Sequence, residues 1–154
     1  MERALAAEGL TMAIVVSGGH ADIGRRLLRG ALDFLKEQGG GEPDVHWVPQ
    51  LLNLPVAALA LAERGVDAVL CLGCLIAGDG ALDFTAAETA SGLMQVQLET
   101  GIPCVLGLLA VADREEALAA SGPKNNRGRD AADETLEMVR VLGQIQEGQE
   151  PPAG

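Results

Sequence analysis

VDAVLCLGCLIAGDGALDFTAAETASGLMQVQLETGIPCVLGLL, residues 66–109, decides the fold. Its first eleven residues, and the run IPCVLGLL at 102–109, are apolar with little polar alternation. That is the pattern of parallel strands covered on both faces by helices. Between them lie a glycine loop, AGDG at 77–80, and a segment in which Thr85, with Glu88 three residues on, predicts a capping box. The helix it opens runs through Leu93 and Leu98 to Gly101. Open parallel sheets bind ligands outside the carboxyl ends of their strands, so chemistry is expected around residues 78–83.

Outward from this centre the alternation of strand and helix continues. LTMAIVVS at 10–17 reads as the first strand and ends at Ser17-Gly18-Gly19-His20, after which Ile23, Leu27, Ala31, Phe34 and Leu35 recur at helical spacing. Gly39-Gly40-Gly41 stops that helix. A short strand, VHWV at 45–48, runs into PQLLNLP, where Pro55 suits the first residue of a helix, VAALALAER, that Gly65 terminates. Beyond residue 109, Asp113 and Glu116 predict a capped helix through Ala120, and the polar stretch GPKNNRG precedes a last helix from about Asp130 to Gln146. One domain is expected over residues 1–147, with a disordered tail at 148–154. Four strands joined by right-handed crossovers predict a three-layer αβα sandwich around a four-stranded parallel sheet.

Composition narrows the function classes. A chain of 154 residues with 48% hydrophobic content buries one sizeable core. Its 22 acidic residues outnumber 11 basic ones, and the net charge of −11 repels phosphate backbones and anionic lipid, which argues against nucleic acid and membranes as partners. No apolar run reaches the length of a membrane span, and MERALAAEGL lacks the basic flank and hydrophobic block of a signal peptide, so a cytoplasmic location is expected. Cys71, Cys74 and Cys104 fall in predicted strands. Redox and zinc CxxC pairs sit at turns or helix starts, and no second pair completes a zinc site, so buried reduced thiols are expected, with no metal and no cofactor.

The order of motifs then becomes recognisable: AIVVSGGHADIGRRLLRGALDFL at 13–35, VPQLLNLPVAALALAERG at 48–65, VLCLGCLIAGDG at 69–80, DFTAAETASGLMQVQLETGIPCVLGLL at 83–109, and GPKNNRGRDAA at 122–132. From about Gly9 to Leu142 the chain resembles the lumazine synthase family, the penultimate enzymes of riboflavin biosynthesis. The resemblance implies a flavodoxin-like αβα fold of the lumazine synthase type. It also implies a transferase that condenses an amino-ribitylamino-uracil with a dihydroxybutanone phosphate, losing phosphate and water. The family's subunits form pentamers, sometimes packed as icosahedral 60-subunit shells, with each active site shared between neighbours. A homopentamer or larger assembly acting on a small-molecule substrate is therefore implied here.

The chain departs from the family at the residues that carry the chemistry. Where family members have a stacking aromatic residue and Asn after the first strand, this chain has Gly19 and His20 after Gly18. In the second loop, Pro49-Gln50-Leu51-Leu52-Asn53-Leu54-Pro55 keeps both prolines but puts Leu52 for the aromatic residue and Asn53 for the ribityl-binding carboxylate. Asn still hydrogen bonds, without the charge. The third loop, Gly78-Asp79-Gly80-Ala81-Leu82-Asp83, is one residue short, and Ala81 or Leu82 stands in the place of the family's proton-shuttling histidine. Ala120 replaces the phosphate-clamping arginine. What remains is Lys124, and Asn126-Arg127-Gly128 followed by Asp130. By this resemblance Gly18, Gly19, Leu52, Asn53, Leu54, Gly78, Asp79, Gly80, Ala81, Leu82 and Lys124 are the candidate substrate-binding residues. His20, Arg127 and Asp130 are the candidate proton-handling and charge-pairing groups.

Plainer readings stand beside these. His20 sits on the correct rim for a general base, or is a solvated loop residue; His46 reads as structural. Asp79 either lies among anion-cradling amides or serves a turn, and Asp83 reads as a helix-dipole partner. Arg127 and Asp130 are pocket residues or first-turn charges of the last helix. Phe34 belongs to the helix core by periodicity, leaving Phe84 near the pocket, and a lining of Leu51, Leu52, Leu54 and Leu82 suits a smaller or more aliphatic ligand than the family's. Two functions follow: a family enzyme that is weak or redirected to another amine and carbonyl pair, or a non-catalytic structural or small-molecule-binding assembly.

Overall fold

A computed structural model describes residues 6–78 and 82–148, the side chain of Leu82 excepted. The expected tail beyond Gly148 lies outside the described residues. Strand β1 (Met12–Ser17) leads to α1 (Ala21–Glu37), β2 (Asp44–Val48), a single 3-10 turn (Leu51–Asn53) and α2 (Leu54–Glu63). Then follow β3 (Ala68–Ile76), α3 (Leu82–Thr100), β4 (Cys104–Val111), α4 (Arg114–Ala119) and α5 (Arg127–Gln146). All strand pairings are parallel, in the order β2-β1-β3-β4. This is the expected αβα sandwich.

The apolar runs are continuous because both faces of the sheet are covered. Every residue of β1 is buried, and alternate side chains enter opposite layers. Ile14, Val16, Leu70, Leu72 and Val105 pack under α1 and α5, while Ala13, Val15, Val69, Cys71 and Cys104 pack under α2 and α3. Exposure is confined to the two edge strands: it is greatest on β2, where Trp47 is 42% exposed and His46 pairs with Asp44 at 2.9 Å, and on β4 it falls at Ala110.

Three boundaries differ from expectation. Thr85 does not open α3, which begins at Leu82; its carbonyl instead accepts a hydrogen bond from the Thr89 hydroxyl at 2.7 Å, inside the helix. The last helix starts at Arg127 rather than near Asp130, because the Asn126 side chain caps it by accepting from the Arg129 amide at 3.1 Å. Leu54 precedes Pro55 as the first residue of α2, entered through the 3-10 turn. The cap at Asp113 forms as predicted, its carboxylate accepting from the Glu116 amide at 2.9 Å.

Cys71, Cys74 and Cys104 are buried and form no disulfide. Burial pushes the Cys71 thiol far up, reinforced by Cys104, and lifts Cys104 from 9.0 to about 11. Above pH 9.0 the unfolded chain releases thiol protons that the folded chain still holds, so these cysteines are expected to lower stability as pH rises toward about 11. Denaturant titrations at pH 8 and about pH 10.5 check this, with thiol reagents expected to leave Cys71 and Cys104 unlabelled until the protein unfolds. Among the described residues no helix is long and apolar enough to cross a membrane, and no group of three or more His, Cys, Asp or Glu side chains is placed to hold a metal ion.

Candidate functional site

A cleft of about 450 Å³ opens where β1 and β3 end, walled by the 3-10 turn and the first turns of α1 and α3. This is the rim at which open parallel sheets bind ligands. The ladder between β1 and β2 runs one residue past Ser17, with the Gly18 amide donating to the Val48 carbonyl at 2.7 Å. The chain then turns at Gly19. His20 follows as the N-cap of α1 with φ 55° and ψ 55°, and its carbonyl accepts from the Gly24 amide at 3.0 Å.

His20 is the one non-glycine residue at positive φ among the described residues. A left-handed backbone costs an L-residue about 1–2 kcal/mol. The ring makes no helix cap and lines the cleft. Strain of this kind at a cleft points to a role for the side chain held there.

The second wall is the 3-10 turn. Asn53 holds it together, its side-chain oxygen accepting from the Gln50 amide at 2.8 Å. Leu51 is buried against the middle of β3, where a Cβ on Gly73 would lie 2.4 Å from its Cδ1; only glycine leaves Leu51 room to floor the cleft. Leu52 is 46% exposed and lines the cavity, whereas Leu54 is fully buried in the α2 core and does not. From the third side come Cys74 and Leu75 of β3 and Thr85 of α3. Phe84, expected near the pocket, is 61% exposed and is not part of this lining. Gly78 precedes the loop with φ 100°; Asp79, Gly80 and Ala81 lie outside the described residues.

Among the residues expected at the site or in its lining, then, the cleft gathers Gly19, His20, Leu51 and Leu52. It adds Ser17, Gln50, Cys74, Leu75 and Thr85, which sequence reasoning did not single out. Their common signal is position at a strand or helix end facing one rim, which becomes legible only once the strand order is known. Lys124, Arg127 and Asp130 are not part of this cleft. Arg127 is the first residue of α5 and reaches across to the edge strand, donating from Nε to the Leu108 carbonyl and from Nη2 to the Leu106 carbonyl, both at 3.4 Å. Asp130 is exposed in the first turn of α5, and Lys124 is exposed in the preceding loop.

The chemistry available is therefore specific. Ser17, Gln50 and Thr85 offer neutral hydrogen bonds, the leucines offer apolar contact, and His20 is the lining side chain of a type that exchanges protons near neutral pH. The described lining contains no Arg or Lys to grip an anion.

Comparison with known proteins gives a consistent result. A family model described as 6,7-dimethyl-8-ribityllumazine synthase matches residues 9–143. The 6,7-dimethyl-8-ribityllumazine synthase of Pyrococcus furiosus is 38% identical over 144 residues, spanning 93% of this chain and 92% of that protein.

Proposed function

The chain belongs to the 6,7-dimethyl-8-ribityllumazine synthase family of riboflavin biosynthesis, and from that premise we propose that its strand-end cleft binds a small amine and carbonyl pair and condenses it with His20 as the proton carrier. The observation that carries this reading is His20 itself, an imidazole held on the rim in a costly left-handed conformation. When the amine adds to the ketone carbon, the new C–N bond forms as the carbonyl π bond opens. His20 carries the first proton shed by the nitrogen to the alkoxide, giving the carbinolamine; it then takes the second proton from the nitrogen and delivers one to the departing hydroxyl, so that water leaves as the C=N bond forms and the neutral imine remains. Holding the two reactants together supplies much of such a rate.

Relative to the parent reaction, two supports are gone from the pattern. Ala81 or Leu82 stands where the family histidine shuttles protons, and Ala120 where arginine clamps phosphate. The parent condensation is accordingly weak here, or the cleft serves a ketone without a phosphate. Arg127 and Asp130, which do not line their own cleft, act as charge-pairing groups toward a neighbouring subunit's site in the shared arrangement that the family resemblance implies.

Assembly as a homopentamer or larger belongs to the same proposal. On α3, Phe84, Met94 and Leu98 are 61%, 55% and 80% exposed and recur on one face with Ala87 and Ser91 between them. A stripe of that kind is a surface that another subunit covers. Light scattering on the purified protein is expected to return a pentamer or a multiple of it, and Leu98→Glu is expected to shift the population toward monomer by burying an unpaired charge. A wild-type monomer contradicts the assembly reading.

Calorimetric titration of the assembled protein with the amino-ribitylamino-uracil and the dihydroxybutanone phosphate, alongside phosphate-free ketones, tests the enzyme reading. Binding of the amine is expected, together with measurable product. If an assembled protein neither binds nor turns over any of these, the enzyme reading fails and the second stands: a non-catalytic assembly. The specific observation favouring that second reading is the absence of a cationic side chain from the described lining.

A further inference from the structure

Four of the chain's 11 basic residues line one groove on the opposite side of the sheet from α2 and α3, between α1 and the start of α5. Arg25, Arg26, Arg29 and Arg129 surround a cavity of about 540 Å³ that shares no residue with the strand-end cleft. In a chain of net charge −11 this concentration calls for a physical account.

Internal pairing does not neutralise it. Two of the three acids on the rim are already engaged: Asp22 with Arg114, and Glu37 with Arg129 at 2.6 Å. Both carboxyls are held below their usual range by those guanidinium partners. That leaves Asp33 against Arg25, Arg26 and Arg29, a local excess of two positive charges. Arg25 and Arg29 stand one helical turn apart on α1, a like-charge spacing that destabilises an isolated helix. Neither forms an ion pair with a described residue, whereas Arg26 is fixed from below, its Nε donating to the Ser121 hydroxyl at 3.0 Å and its Nη2 to the Leu118 carbonyl at 3.2 Å. The floor is rigid too, since the Asn126 side chain ties α1 to the loop by donating to the carbonyls of Arg26, at 3.1 Å, and Gly122, at 3.2 Å.

We infer that this groove between α1 and α5 is a binding site for a small phosphate-bearing anion. Guanidinium forks match phosphate oxygens in pairs, and one anchored arginine flanked by two unengaged ones makes a three-sided grip. The ligand is small because the groove is closed on two sides by helices and the acidic surface around it repels a long polyanion. Free phosphate species and a sugar or other small phosphate ester share the recognised group. The site does not depend on what the strand-end cleft catalyses.

Calorimetry on the full chain at low salt distinguishes the sources, with inorganic phosphate, pyrophosphate, ribose 5-phosphate and a single-stranded hexanucleotide as separate titrants. Saturable binding of at least one of the first three is expected, weakened at least tenfold in an Arg25→Ala/Arg29→Ala double variant. Arg140→Ala, whose side chain pairs with Glu137 elsewhere on α5, should leave it unchanged. Ala is a strong helix former, so the double variant keeps α1, and far-UV circular dichroism verifies it. No saturable heat with any of the three small titrants, equal affinity in the double variant, or tighter binding of the hexanucleotide overturns the inference.

Discussion

Replacing His20 with Asn is expected to leave the protein folded and to lower turnover of whichever amine and carbonyl pair it condenses by about a hundredfold to ten-thousandfold, the usual contribution of a positioned acid–base group. Asn tolerates the left-handed region better than most residues, so φ 55° does not become a new source of strain, and it hydrogen bonds without exchanging protons near neutral pH. His20→Gly removes the backbone cost altogether and is expected to alter unfolding stability by no more than about 1 kcal/mol while losing activity in the same way. The two variants separate a proton carrier from a loop residue. A loop residue predicts unchanged kcat in both; a proton carrier predicts the fall in kcat in both.

Gly128→Ala is expected to be the most damaging single methyl group in the chain. At this first turn of α5 a Cβ would lie 2.0 Å from the Leu27 carbonyl oxygen and 2.6 Å from its carbon, backbone atoms that no rotamer change can move. Overpacking costs about 1–3 kcal/mol where side chains can adjust. Here α1 and α5 must separate, so about 3 kcal/mol or more is expected, which for a chain of this size lowers the melting midpoint by roughly 6–12 °C. Gly143→Ala is the matched control in the same helix, because nothing lies within 4 Å of its Cβ position. Helix propensity then dominates, and a gain of up to about 1 kcal/mol is expected. Equal melting midpoints for the two variants would show that the helices do not cross as closely as described.

Gly128 also shows what was legible before any coordinates. The buried strands announced themselves, since a residue sequence apolar on both parities leaves little besides a sheet covered on two sides. The Asp113 cap was legible because its partner, the Glu116 amide, is local, and the Glu116 carboxylate in turn accepts from the Ala112 amide. Thr85 misled because a capping pattern carries no information about whether the helix has already begun, and α3 begins at Leu82. Asn126 was read as part of a polar loop and of a retained family pattern, not as a cap, although its side chain both caps α5 and ties down α1. In the site, Gly19, His20 and Leu52 followed from the family resemblance, which puts them at the strand ends where open parallel sheets bind ligands. Gln50, Cys74 and Thr85 did not, because their convergence depends on β1 lying between β2 and β3. Leu54 was expected to face the ligand, but it shares an inward face of α2 with Ala58 and Leu61, and burial claims it. Arg127 takes the first-turn reading: it opens α5, its guanidinium spans the edge strand, and it does not line the cleft.

The chain keeps the family's scaffold while its sequence lacks the histidine and arginine that shuttle protons and clamp phosphate in the parent pattern. Steady-state turnover of the amino-ribitylamino-uracil and dihydroxybutanone phosphate, run side by side with a family member that carries the histidine and the arginine, measures this directly. The prediction is a kcat at least about a hundredfold lower for this chain. Rates equal within about threefold would contradict it, because catalysis would then not need the groups this chain lacks.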